Sequence, residues 1–362
     1  MKCENKNSRW RVALPLVVIG GLALGIAIRR GCADVQPSIS LDRPLLHHFL
    51  MAEVIPAEIK IYHPVSDPQA LFKRCEQEVE RGVRIFSNYL ETSEVSRLNR
   101  QAAERPVQVS PDMARVLAAS IEADRVTDGA FDITVMPLIR LWKKAGEEGR
   151  VPDSQTLAAV VAKVGMAAVR FDPGTREVHF SNPGIQTDLG GISKGYIIDR
   201  VTVILQDAGV TRALINIGGD LRVFGGTAAR PFRVAVQHPL RRDELAGWVM
   251  LQEGAVATSG DYERFIEIDG RHYSHIIDPR TGMPAAWSPS VTVLAGDAMT
   301  ADWLATGISV VGARAAASVA GRSPGTEYLV IQRNEAGDLE AVYSPGMGSR
   351  LHLVEDSGIR LP

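Results

Sequence analysis

Apolar and polar positions along the chain follow two periods in irregular succession. Residues 58–62 (EIKIY) alternate polar and apolar side chains, which predicts a half-buried strand. Residues 67–87 open with an Asp-Pro start signal and bring Leu71, Cys75, Val79 and Ile85 near one face, which predicts an amphipathic helix. Residues 111–127 repeat that period through Met113, Val116, Leu117, Ala119 and Ile121. Further strands are predicted at 178–180, 213–217, 232–236 and 291–294, and further helices at 195–206 and 298–311. Strands and helices do not alternate in strict βαβ units, and several strand pairs read as hairpins. This order predicts an α+β fold, and no repeat of 20–50 residues interrupts it. No boundary is visible inside 49–362, so one composite domain is expected there. Residues 33–48, with Pro37 and Pro44 and no clear period, read as a linker.

The amino terminus has a different character. Residues 12–28 (VALPLVVIGGLALGIAI) are seventeen residues without a charge. As a helix they would reach about 25 Å at ~1.5 Å per residue, against a hydrocarbon core of about 30 Å. Arg29-Arg30-Gly31 before Cys32 suits neither a lipoprotein signal nor a small-residue cleavage site. Residues 1–32 therefore read as an uncleaved membrane anchor, with a cleaved signal as the alternative. Lys2, Lys6, Arg9 and Arg11 precede the span and two arginines follow it. That bias places the body outside the cytoplasm, on the periplasmic side of an inner membrane.

Charge sharpens the picture. The chain holds 40 basic and 42 acidic residues; without residues 1–32, which carry six basic and one acidic, 34 and 41 remain, a net of −7. A body that acidic, with 6% aromatic residues, lacks the cationic surface and stacking platform of a nucleic-acid binder. The three cysteines, Cys3, Cys32 and Cys75, show no C-x-x-C or metal-ligand spacing.

Four segments hold candidate chemistry. In DLGGISKGY (188–196), two glycines and a lysine ahead of a predicted helix suit either a phosphate cradle or a tight turn. INIGGDLRVFG (215–225) reads as a hairpin, with Asp220 as a turn residue. In YSHIIDPRTG (273–282), His275 is either a structural imidazole or a base working near neutral pH. In AMTADWLATG (298–307), Asp302 and Thr306 are four apart on one helical face. That pair offers two hard oxygens to Mg²⁺, or else forms an exposed polar pair.

These segments, together with FSNYLETSEVSRLN (86–99), TDGAFDITVMPLIRLW (127–142) and ATSGDYERF (257–265), resemble the flavin transferase (ApbE) family in order. Members of that family attach FMN from FAD covalently to other proteins. The resemblance covers roughly residues 49–345 and implies a T-fold-like α+β domain that takes FAD as substrate, its diphosphate bridged by Mg²⁺. Carried over by motif, Asp302 and Thr306 become side-chain metal ligands and Gly191 a backbone-carbonyl ligand. Met51, Tyr89, Ala130, Phe131, Asp132, Asp188, Lys194, His275 and Ile276 match positions lining the FAD site. The family's early Met-Gly-Thr stands here as Met51-Ala52-Glu53, so only Met51 carries over. The resemblance further implies attack by an acceptor threonine with release of AMP, and His275 is the candidate base. It also implies acceptor proteins belonging to membrane electron-transport complexes. Water as acceptor would instead make an FAD pyrophosphatase, and the pocket alone a non-enzymatic FAD-binding protein.

Overall fold

Among the described residues the frame is a nine-stranded sheet whose order in space is its order along the chain. Its strands are Leu45–Met51, Ile55–Ile61, Ala213–Ile217, Asp220–Phe224, Gly254–Gly260, Ser290–Ala295, Glu327–Arg333, Leu339–Tyr343 and Ile359–Arg360. Neighbours are antiparallel except the last two, which are parallel. The computed structural model describes residues 44–241, 243–260, 265–285 and 290–361. The predicted anchor and Cys32 lie outside the described residues.

The predicted α+β class is what the elements form. The first strand begins at Leu45, inside the segment predicted as linker. Its sequence, LLHHFLM, puts apolar residues and a histidine on both faces, so no period of two is visible. On the inward side His47 stacks on Phe72, ring centroids 4.6 Å apart, and lies 2.7 Å from Glu76 Oε1.

Residues 62–212 leave the sheet after its second strand and return as its third. They carry six helices, among them Pro68–Phe86, Pro111–Thr127 and Ser193–Asp207, and a small sheet of three short strands. The helix starts are those the side chains dictate. Asp67 accepts from Ala70 N–H at 2.9 Å and Ser110 from Met113 N–H at 3.2 Å, each ahead of a proline in the first turn. Arg81 joins Glu78 and Asp112, and the Tyr196 hydroxyl donates to Asp112 at 2.6 Å, so one polar cluster ties three helices together. The Arg81 guanidinium holds the Asp112 carboxyl down at about 2. Burial pushes the Cys75 thiol up to about 12, so it packs as an apolar side chain.

Helix Ala298–Val311 explains the sheet's middle. It lies against strands Gly254–Gly260 and Ser290–Ala295, while Phe232, Val234, Val249 and Leu251 of a second, three-stranded sheet cover the opposite face at Val223, Val256 and Leu294. Strand Ser290–Ala295 is therefore buried at every residue. That two-sided burial is why its sequence reads as a near-continuous apolar run. Helix Ala298–Val311 also crosses helix Ser193–Asp207 at Gly195. A Cβ on Gly195 would stand 2.1 Å from the Ala298 carbonyl oxygen and 2.6 Å from Met299 Cα. Backbone cannot yield as a side chain can, so Gly195→Ala is expected to cost at least about 4 kcal/mol or prevent folding. Gly321→Ala, with no atom within 4 Å of the new methyl, serves as the neutral control. Thermal melts of both variants check this; a Gly195→Ala melt within a few degrees of wild type would refute the close-approach argument.

The three-stranded sheet is fastened at His238. Its Nδ1 accepts from Leu240 N–H at 3.1 Å and Arg241 N–H at 3.0 Å, and Nε2 lies 3.1 Å from the Ser357 carbonyl. Two amide donors on Nδ1 place the ring proton on Nε2 and require the neutral imidazole. Burial, and then Arg241, lower its pKa. The unfolded chain therefore binds this proton more readily, and the stability His238 supplies is full above the unfolded value of about 6.5 and is lost as pH falls below it. Denaturant melts at pH 8 and 5.5 should show wild type losing its advantage over His238→Gln at the lower pH. An advantage independent of pH would contradict the assigned ring state.

Candidate active site

The site forms where helices Ser193–Asp207 and Ala298–Val311 meet. Asp302, 4% exposed, points its Oδ2 at the N–H of Gly195, 3.0 Å away. That amide belongs to the first turn of helix Ser193–Asp207, where peptide dipoles favour an anion. The predicted cradle at this helix start thus faces a carboxylate of the chain itself. Thr306 follows Asp302 by one turn. A Cβ built on Gly191 would lie 2.9 Å from Thr306 Oγ1 and 3.2 Å from the Phe131 ring, so Gly191 is pressed against both. The three residues expected to hold a metal are brought together, with Asp302 buried and Thr306 half-buried rather than standing as an exposed polar pair.

Charge in this pocket is unbalanced. Lys194 forms a short ion pair with Asp220, which is 2% exposed. Burial, followed by the Asp220 and Asp199 carboxylates, pushes Asp302 up to about 7 against the pull of Lys194. Asp220, expected to be a turn residue, is instead a buried member of the site. The turn itself is made by Gly218 and Gly219, with φ of 59° and 93°, and Asp220 starts the next strand. Asp199 was not visible as a site residue either. It accepts from Ala298 N–H and Met299 N–H, both at 2.9 Å, and from Arg222 at 2.6 Å, so it caps the helix that bears Asp302.

The loop between Thr127 and helix Met136–Glu148 forms one wall. Phe131 N–H donates to Thr127 Oγ1 at 2.9 Å, and its ring tilts against Trp303 at 6.4 Å. Ala130 and Phe131 are buried. The Asp132 carboxylate turns inward, accepting from Thr134 N–H and Oγ–H, both at 2.6 Å, and from Met166 N–H at 3.1 Å. Its place in the site is to set the shape of this loop. Asp188 does the same opposite: Oδ1 accepts from Gly190 N–H at 2.8 Å and Oδ2 from Asn88 at 3.0 Å. Asn99 braces both, accepting from Thr187 N–H at 2.7 Å and donating to Asn88 Oδ1 at 3.1 Å. These asparagines lie in one of the motifs of the sequence, yet only the fold shows that they fix the loop bearing Gly191. Beside them Tyr89 is 92% exposed.

Met51, 6% exposed, leads into a turn closed by Val54 N–H to Met51 O at 3.3 Å. Ala52 and Glu53 both have positive φ, 52° and 65°. A left-handed pair favours glycine, which accounts for the glycine of the family's pattern at the first of them. The turn adjoins Gly218, whose N–H donates to Pro56 O at 2.8 Å, and so reaches the Asp220 side of the site.

His275 is exposed between buried Ser274 and Ile276. Ser274 Oγ accepts from Ile276 N–H at 3.1 Å, turning the backbone about the histidine. Ile276 packs in one apolar cluster with Ala130 and Val310, which joins this segment to the Phe131 loop and to the helix of Asp302.

A divalent cation fits the donor set. Asp302 offers a buried carboxylate whose charge burial and acidic neighbours disfavour, Thr306 a hydroxyl, and Gly191 a backbone carbonyl, all hard oxygens. Among the described residues no three His, Cys, Asp or Glu side chains gather as a metal cage. These three oxygens would supply only part of a coordination shell, which is the pattern of Mg²⁺ sites completed by phosphate.

A model of the ApbE family matches residues 55–330. The chain belongs to that family. Among similar ApbE proteins, the FAD:protein FMN transferase of Vibrio cholerae is 36% identical over 263 residues, 71% of this chain and 78% of the relative. That of Haemophilus influenzae is 34% identical over 256 residues, 68% and 74%. The solved flavin transferase ApbE of Vibrio cholerae superposes with a TM-score of 0.74 at 31% identity, covering 85% of this chain and 99% of that one. The ApbE protein of Thermotoga maritima gives 0.73 at 31% identity, covering 82% and 96%.

Proposed function

We propose that this ApbE-family chain transfers FMN from FAD to a threonine hydroxyl of an acceptor protein and releases AMP. The observation that carries the reading is the meeting of Asp302, Thr306 and Gly191 beside the Lys194–Asp220 pair, on a helix whose Val310 packs with Ile276 of the segment bearing His275. Mg²⁺ held by Asp302, Thr306 and the Gly191 carbonyl would neutralise charge on the FAD diphosphate. Lys194 adds a positive charge, kept in place by Asp220. Tyr89 offers an open ring face to a flavin, and the Ala130–Asp132 loop closes the opposite wall. His275 takes the proton of the attacking hydroxyl. The threonine oxygen bonds to the FMN phosphorus as the bond from that phosphorus to the AMP oxygen breaks, and AMP departs with the electron pair.

The acceptors in this reading are flavin-bearing subunits of membrane electron-transport complexes, met outside the cytoplasm by a body tethered through residues 12–28. The test is the full chain in a bacterial host with a threonine-bearing acceptor domain, either exported or retained. In-gel flavin fluorescence is expected on the exported acceptor alone. Fluorescence on the retained form only would overturn the orientation. With purified protein, FAD and Mg²⁺, free FMN without labelled acceptor would favour hydrolysis by water, and neither product would leave binding alone.

A further inference from the structure

We propose that Trp142 is a positioning residue for the transfer step, fastening the segment that carries His275 at both ends. Helix Met136–Glu148 holds Trp142 with its side chain fully buried. On one side its ring lies against Tyr273, centroids 5.2 Å apart at 33°. On the other its indole N–H donates to the Gly282 carbonyl at 2.8 Å. Tyr273 and Gly282 bracket His275, and between them Ile277 packs into the same apolar cluster as Trp142 and Leu138.

The segment has little freedom of its own at that anchor. Gly282 N–H donates to Asp278 O and Asp278 N–H to Met283 O, both at 2.8 Å. Gly282 has a φ of 73°, and a Cβ there would stand 2.6 Å from a Val161 methyl. The turn is therefore seated against packed side chains, with its carbonyl aimed at the indole.

Core filling alone would be met by phenylalanine or leucine. A buried indole N–H needs a partner, and the partner it has is the segment bearing the exposed imidazole. A base must lie within hydrogen-bond reach of the proton it takes, and small displacements of a reacting group are costly in rate. Helix Met136–Glu148 thus fixes the reach of His275 without touching the reacting atoms. The inference rests on the reading of His275 as the base.

Trp142→Phe in the full chain keeps an aromatic ring in this cluster and removes the donor together with part of the indole's buried volume. It is expected to slow FMN transfer roughly tenfold, the scale of one buried hydrogen bond. FAD affinity should stay within about twofold, and amide hydrogen exchange should rise in residues 274–285 while other segments keep their protection. In a double-mutant cycle, Trp142→Phe should add no further loss to His275→Asn. An equal loss in both backgrounds, or transfer at the wild-type rate, would overturn the positioning role. Unfolding would show as exchange throughout the chain; Tyr273→Leu, which loosens the other end, then repeats the cycle. Transfer unaffected by His275→Asn would instead remove the base reading, while locally raised exchange in Trp142→Phe would still stand as the anchor.

Discussion

Asp302→Asn lowers Mg²⁺-dependent transfer by about 10³-fold and leaves the metal-free protein as stable as wild type or more so. The rate loss follows from removing the one carboxylate in the expected donor set. A bound cation contributes several kcal/mol of charge stabilisation, and 1.36 kcal/mol is a factor of ten. The stability follows from the same burial. Asp302 is 4% exposed, with Asp220 and Asp199 near it. Its negative charge is costly there without a cation, whereas an asparagine oxygen still accepts the Gly195 N–H without that charge. Thermal melts with and without Mg²⁺ separate the two effects. Wild type should gain stability with the ion by mass action and the variant should not. A Mg²⁺-induced shift that survives in Asp302→Asn would place the cation elsewhere.

His275→Asn divides binding from chemistry. Losing a positioned base slows transfer by roughly 10²–10⁴-fold. FAD affinity should change little, because His275 is exposed and the walls of the pocket are built by Phe131, Asp188 and their partners. FAD binding followed by fluorescence, beside single-turnover transfer, makes the comparison. Parallel loss of both would make the residue part of the pocket's framework.

Two of the helices that sequence periodicity located well have one buried face. Pro68–Phe86 and Pro111–Thr127 carry a start signal and an apolar stripe, and the structure ends them within a residue of the predicted limits. Strand Leu45–Met51 was hidden because both of its faces bear apolar residues. Asp302 and Thr306 were legible as a pair, since a helix puts residues four apart on one face. Asp220 was not, because a hairpin explains an aspartate after two glycines, and its ion pair depends on Lys194, 26 residues away. Asn88 and Asn99 act on Thr187 and Asp188 across a fold that no local pattern encodes.

Because the sheet follows chain order, the synthesis of this protein has a built-in sequence of events. Strand Ile55–Ile61 waits for Ala213–Ile217, and closing a loop the length of residues 62–212 costs about 4 kcal/mol of chain entropy beyond a constant. A nascent chain halted before residue 213 leaves the backbone edge of strand Ile55–Ile61 without its partner, an edge open to a chaperone or to aggregation. After that closure each new strand down to Leu339–Tyr343 finds its neighbour already in place. Asp302 meets Gly195 only once its own helix has been made, across 107 residues. The pocket proposed for the cation is therefore completed near the end of assembly, and truncated chains that stop short of it would be unable to hold the ion whatever else in them had folded.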